Sequence, residues 1–570
     1  MASNLNPYGK MSEAEQERFI ARRKARKRIA IIVISSIVLA AVVVAAVVGV
    51  SSQEKGDKSG GKDSISSALK AVCNATLYPE SCYSSMSPLV NSNNVSPADF
   101  PKLAVQVAVN ELSRASVKFF QHDVVKNAKD NMTKLALESC QELLSLAIDH
   151  LNESLAVTDK SILDAFDDLG TWLSSAGTYQ ETCIDALLEN NNGTSSPLSL
   201  IASDILRLPS EYTSNSLAII SSIQSSVGAI GQRRLLMDET PAWLSFNERK
   251  LLQTPTSNIK FDAIVAKDGS GKYQTIRDAL KDVPEKSDKR YIIYVKKGVY
   301  HENHVTVEKG HWNVMMVGDG MNSTIVTGSL NFIDGTPTFQ TATFAVKGKG
   351  FIARDMEFVN SAGPSKHQAV ALMSTADLSV FYRCKMDAFQ DTLYPHSNRQ
   401  FYRECTILGT VDFIFGNSAV ILQNCNILPR KPNHGQQTTI TAQGKIDPNQ
   451  NTGIVIHNCI IKQYDDLTGV NNYLGRPWKN YSTTVFMKNN MGGFIHPNGW
   501  LPWVGNDAPP TIFYAEFQNY GPGAITTNRV KWRGLRLNLN ANQVSRFTVK
   551  PFISGHKWLE RAGVRYNPNL

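Results

Sequence analysis

Cysteine is scarce in this sequence, eight residues in 570, and no two are spaced CxxC. Paired-cysteine zinc sites are thereby excluded. His301 and His304 flank a strand turn without a third ligand, so neither a metal nor a cofactor is expected. No GxSxG elbow occurs, which leaves a serine nucleophile without motif support. The turn Asp268–Lys272 has a phosphate-loop flavour, but the GxxxxGK[ST] spacing is missing and a hairpin turn is the better reading. No carboxylate-rich cluster suits a calcium-dependent lyase. Unbroken amphipathic runs are missing from Ser379–Asn426, where Gly, Pro and Asn recur too often for a helical repeat.

What that segment has instead is one phrase repeated. An apolar or aromatic pair, one or two polar residues and a cysteine recur at Cys384, Cys405 and Cys425, in steps of 21 and 20 residues. A fourth copy ends at Cys459, and a cysteine-less echo occupies Phe351–Phe358. A period near 20 with short β-branched and aromatic runs predicts a solenoid of parallel strands, one coil per repeat. Asp391 and Asp412 each lie seven residues after a repeat cysteine. Equal offsets on neighbouring coils stack them roughly 4.8 Å apart. Two carboxylates so placed repel, so one pKa rises while the other stays low, which pairs a general acid with an anionic nucleophile or base. Turn aspartates facing water have the same spacing.

Residues 29–50 are IAIIVISSIVLAAVVVAAVVGV, without a charge and long enough as a helix to span about 33 Å. The flank Arg22–Arg28 is strongly basic. That bias predicts a signal anchor with residues 1–28 cytosolic and everything beyond Val50 across the membrane. Net charge is +5 over residues 1–28, −8 over 29–250 and +12 over 251–570. A basic C-terminal region suits a polyanionic partner, and the acidic region before it suits docking onto the basic one. Secretion makes nucleic acid an improbable partner. All eight cysteines, falling beyond the membrane segment, are expected in disulfides. They divide into Cys73, Cys82, Cys140, Cys183 and Cys384, Cys405, Cys425, Cys459, and a Cys384–Cys405 bridge between adjacent coils is geometrically reasonable. Sequons at Asn74, Asn94, Asn131, Asn152, Asn192, Asn322 and Asn480 fit the same luminal exposure.

Residues 51–64 read as a flexible linker. Over 65–232 the period turns helical, with apolar residues at 137, 140, 144, 148, 151 and 155. Similar segments at Pro101–Asn127, Ser161–Leu188 and Asn215–Gly231 predict an all-α four-helix bundle, with Cys73–Cys82 tying a hairpin and Cys140–Cys183 tying two helices. Residues 233–252 carry the basic-basic-Leu-Leu tetrapeptide twice, at Arg233, Arg234 and at Arg249, Lys250. The solenoid domain follows over 253–570.

Five segments carry a resemblance. Phe389–Tyr394 (FQDTLY), Gly409–Asn417 (GTVDFIFGN), Tyr473–Trp478 (YLGRPW), His367–Leu372 (HQAVAL) and Gly298–Asn303 (GVYHEN) are similar, in order, to the motifs of plant pectin methylesterases. The layout around Cys73 resembles the plant invertase and pectin methylesterase inhibitor family, and the dibasic pairs resemble the processing sites between its pro-region and enzyme. The resemblance implies a right-handed parallel β-helix that hydrolyses galacturonate methyl esters of pectin. Implied partners are pectin, a processing protease, the membrane in transit, and the pro-region or separate inhibitor proteins. The implied mature form is extracellular, in the cell wall. Carried over by motif, Asp412 is the nucleophile, Asp391 the acid and then base, Gln390 and Gln368 the oxyanion donors, and Arg476 the partner of Asp412. Trp478, Trp503, Phe413, Tyr394 and Thr343 are substrate contacts. The sequence departs from the family pattern at Met373, where Arg is frequent, and at Tyr520, where Thr is frequent.

Two other readings compete. A solenoid lyase lacks its calcium site, and an inverting glycosidase needs carboxylates about 6.5–9.5 Å apart. A non-catalytic wall-binding or inhibitory protein would have lost Asp391, Asp412 or Arg476, and all three are present.

Overall fold

From Ala263 to Arg536, short runs of β-branched and aromatic residues cut by Asn, Asp and Gly become strands of two to six residues. The computed structural model describes residues 60–92, 95–158, 162, 165–189, 196–231 and 258–570. The expected anchor at 29–50 and the dibasic pairs at 233–252 lie outside them. Among the described residues no helix is long and apolar enough to cross a membrane.

The strands pair in parallel, coil upon coil, into sheets of eleven, eight and seven strands. The seven-stranded sheet is formed by β1 (Val305–Val307), β2 (Phe344–Val346), β3 (Leu372–Ser374), β4 (Leu393–Pro395), β5 (Ile414–Gly416), β6 (Thr438–Gln443) and β7 (Asn472–Gly475). The repeated phrase is a corner between the other two sheets. Asp355, Arg383, Glu404, Asn424, Asn458, Lys488 and Gln518 all adopt left-handed backbone there, with φ between 49° and 59°. That turn swings the next residue into the interior.

The next residue is the cysteine of four coils. The register Tyr382↔Arg403↔Gln423↔His457 stacks Cys384, Cys405, Cys425 and Cys459 in one column. All four are buried and free, which corrects the expected disulfides, Cys384–Cys405 included. In-register residues point their Cα–Cβ bonds in parallel, whereas a disulfide needs converging Cβ atoms and a dihedral near 90°. The thiols pack instead in the apolar interior with Phe381, Tyr402 and Ile407. Cys405 Sγ donates to the Phe381 carbonyl at 3.3 Å. The paired cysteines are Cys73–Cys82 and Cys140–Cys183.

The N-terminal region is helical: α1 (Gly60–Cys73), α2 (Pro79–Ser92), α3 (Phe100–Gln121), α4 (Asn131–Thr158), α5 (Phe166–Glu189) and α6 (Pro197–Gly231). The last amphipathic segment, expected at Asn215–Gly231, is the second half of a 35-residue helix that runs through Pro209. The described residues fall into two compact units. One takes 60–108 and 211–231, where Leu69, Val72, Met86, Phe100 and Ile219 form the core and Cys73–Cys82 joins α1 to α2. The other takes 109–210 and 258–570, so α4 and α5, joined by Cys140–Cys183, are in one unit with the solenoid. There α7 (Ala541–Ser545) and α8 (Val549–Ile553) pack Phe547 and Phe552 against Phe401, Ile421 and Val485. The C-terminal RVKWRGLRL segment, expected to pack, buries Trp532 in the interior.

Candidate active site

The β4–β5 register pairs Leu393 with Ile414, so Asp391 and Asp412 occupy equivalent positions on adjacent coils. Both sit in left-handed turns just ahead of their strands, with φ of 64° and 51°. Both are nearly buried, at 7% and 5% exposure. Their surroundings differ. Arg476, one residue past β7, grips Asp412 through Nε at 2.9 and 3.0 Å and through Nη2 at 2.6 Å. The Thr439 hydroxyl donates to Asp412 Oδ1 at 2.6 Å and accepts the Asp412 N–H at 2.8 Å. The Asp391 carboxyl has no hydrogen-bond partner among the described residues. Burial, then the Asp412 charge, then that of Glu189 push it well above the usual carboxylate range, against the pull of Arg476.

Asp391, Asp412 and Arg476 line a cavity of about 490 Å³ with Gln390, Gln368, Tyr394, Trp478 and Trp503. Gln368 Oε1 is buried and unpaired. Tyr394 and Phe415, one above the other in the register, stack at 4.1 Å and form an aromatic floor. The Arg476 guanidinium lies 4.3 Å from the centre of the Trp503 ring. The opposite wall belongs to α5, which contributes Thr182, Asp185, Ala186 and Glu189.

Two expected substrate contacts are elsewhere. Phe413 is fully buried in the solenoid interior, because left-handed Asp412 breaks the in–out alternation and turns both Phe413 and Ile414 inward. Its neighbour Phe415 is the ring in the cavity. Thr343 is 1% exposed, and its hydroxyl donates to the Val359 carbonyl inside the solenoid. The solenoid-side threonine in the cavity is Thr338, on a one-turn 3-10 helix, whose N–H and hydroxyl both donate to the Glu189 carboxylate. Sequence reasoning missed Thr338, Phe339 and Phe415. The alternation of side chains along β5 was the available signal for Phe415, and none marked the other two.

Two unequal carboxylates beside aromatic faces on a parallel solenoid are a constellation suited to acid–base chemistry on a sugar polymer. The pectinesterase family model matches residues 262–556, and the plant invertase/pectin methylesterase inhibitor model matches 67–219. The probable pectinesterase/pectinesterase inhibitor 46 of Arabidopsis thaliana is 54% identical over 99% of this chain and 100% of its own. Pectinesterase 3 of Phaseolus vulgaris is 48% identical over 99% and 98%. The solved pectin methylesterase from carrot matches 55% of this chain and all of its own, with 49% identity and a TM-score of 0.54. The chain belongs to the pectinesterase family, with an inhibitor-like N-terminal region.

Proposed function

We propose that the solenoid hydrolyses methyl esters of galacturonate in homogalacturonan through an acyl-enzyme on Asp412. The observation that carries this is the inequality of the stacked pair: Asp412 has a cation and a hydroxyl, and Asp391 has neither. Asp412 attacks the ester carbonyl carbon, and Gln390 and Gln368 donate to the resulting oxyanion. As the C–O bond breaks, Asp391 gives its proton to the departing methoxide, which leaves as methanol. Asp391, now a carboxylate, takes a proton from water. The hydroxide attacks the anhydride and returns Asp412 and a free galacturonate. Tyr394, Phe415, Trp478 and Trp503 offer faces to sugar rings, and Thr338 offers two donors once α5, whose Glu189 holds them, is gone.

The helical region is proposed to silence or chaperone the enzyme until a protease cuts at Arg233–Arg234 or Arg249–Lys250, after passage through the secretory pathway on the 29–50 anchor. The mature enzyme then acts in the cell wall. Support comes from α5, whose Asp185 and Glu189 line the same cavity as Asp391. All five described sequon asparagines, Asn74, Asn131, Asn152, Asn322 and Asn480, are exposed.

Methanol release from highly esterified pectin by residues 253–570, beside the Asp412→Asn variant, tests the reaction. Release by the first and a drop on the order of 10⁴-fold in the second is expected. Release by both removes Asp412 from the mechanism, and a folded 253–570 that releases none removes the esterase reading.

A further inference from the structure

A second cavity, of about 420 Å³, opens between the turn after β6, the segment Tyr481–Thr483 and the C-terminal helices. Its volume lies within the range of small-molecule sites, about 300–1,000 Å³. It shares no lining residue with the catalytic cavity. Two cations meet there. Lys445 projects from the turn after β6, and its ammonium has no hydrogen-bond or ion-pair partner among the described residues. The acid that attracts it, Asp447, accepts the Asn449 N–H on Oδ1 at 2.7 Å. Burial pushes Lys445 down to about 8, against the attraction of Asp447 and with the repulsion of Arg546. Arg546, at the end of α7, lies over the rings of Phe513 and Phe547 at 4.7 Å each and has no carboxylate.

A third group is unfilled. Thr452 is 4% exposed, lines this cavity, and its Oγ1 has no hydrogen-bond partner. A buried hydroxyl without a partner and a buried ammonium without a direct ion pair both favour a ligand that satisfies them. Unpaired cations, an unpaired hydroxyl and the ring of Tyr481 together match a ligand with an anionic carboxylate, ring hydroxyls and an apolar sugar face.

We infer that this cavity is an anionic-saccharide site, separate from the catalytic cleft, that takes a free uronate residue of de-esterified pectin. Lys445 and Arg546 pair with the uronate carboxylate, and Thr452 bonds a ring hydroxyl. The ligand class rests on the pectinesterase reading. An esterase that also binds its own product stays on the polymer it has begun to uncover.

The test uses the full chain, whose catalytic cleft is lined by α5, and titrates trigalacturonate by calorimetry. Lys445→Gln and Arg546→Gln are each expected to weaken binding about tenfold, and the double variant to abolish it. Trigalacturonate, but not its trimethyl ester, is expected to protect Lys445 from acetylation, read by peptide mass mapping. Near-UV circular dichroism confirms that each variant folds. Unchanged binding in the folded double variant overturns the site. Equal binding of the trimethyl ester removes the uronate, and equal competition by inorganic phosphate reduces the cavity to a small-anion site. Methanol release by unsubstituted 253–570 reports separately on the esterase reading.

Discussion

In the proposed mechanism, two aspartates of identical chemistry acquire opposite roles from what stands beside them. Arg476 and Thr439 supply donors to Asp412 alone, while Asp391 keeps an unpaired carboxyl whose pKa is raised. Asp391→Asn is expected to lower kcat by about 10³-fold or more, because it can neither release a proton to methoxide nor take one from water. Gln390→Ala should lower kcat by about 10²–10³-fold with little change in KM, since its donor serves a charge absent from the ground state. Methanol release at saturating pectin reads both. The pair was legible because its spacing equals one coil. Arg476 is 64 residues away from Asp412 and came only from its motif. The substrate contacts were less legible. A left-handed residue reverses the facing of Phe413, and TPTFQTATF offers several threonines with no period to choose among them.

At the scale of elements, the cysteine column and α5 carry the consequences. Four buried thiols predict that the denatured, unreduced chain reacts with four equivalents of Ellman's reagent and the native chain with none. Any smaller number in denaturant restores a disulfide to the solenoid. Column and coil were plain in the spacing. What the spacing did not contain was the direction of the Cβ bonds, which decides whether stacked cysteines join. On α5, Glu181, Asp185 and Glu189 fall at intervals of four, one turn apart on a single face. Glu181 and Asp185 both reach Lys479 Nζ at 2.7 Å. Burial pushes Glu189 up to about 7 and Asp185 up to about 6, the latter against the attraction of Lys479. A carboxyl whose pKa rises on docking takes up a proton when it docks. Its contribution is therefore complete below the ordinary carboxylate range and is lost as pH climbs through about 6 and 7. The full chain's methanol release, relative to 253–570, is expected to rise about tenfold between about pH 5.5 and 7.5. Glu189→Gln should flatten that rise, and a ratio independent of pH would count against the inhibitory role.

Across the molecule, charge is sorted by region. Asp149 pairs with Lys309, Glu142 with Lys347, Asp168 with Arg399, Asp167 with Lys557, and Glu181 and Asp185 with Lys479. The acid is on α4 or α5 and the base on the solenoid every time, as the opposite net charges suggested. The more exposed pairs, Asp149–Lys309 and Asp167–Lys557, are each worth at most about 1 kcal/mol, so the effect of the set is collective and, at those pairs, screened by salt. Raising the salt concentration should therefore increase the full chain's methanol release several-fold while barely moving that of 253–570. The division of the sequence into an acidic helical part and a basic solenoid was legible from composition. The assignment of α4 and α5 to the solenoid's unit was not, because a helix period records which face is apolar and not what covers it. One last property follows from the Leu393–Ile414 register. Because the two carboxylates proposed to do the chemistry descend from neighbouring rungs, their separation is quantised. It is set by inter-strand hydrogen bonds at about 4.8 Å, and the next permitted value is about twice that. Side-chain drift cannot tune this enzyme gradually between chemistries. A change of reaction requires a jump of one whole rung.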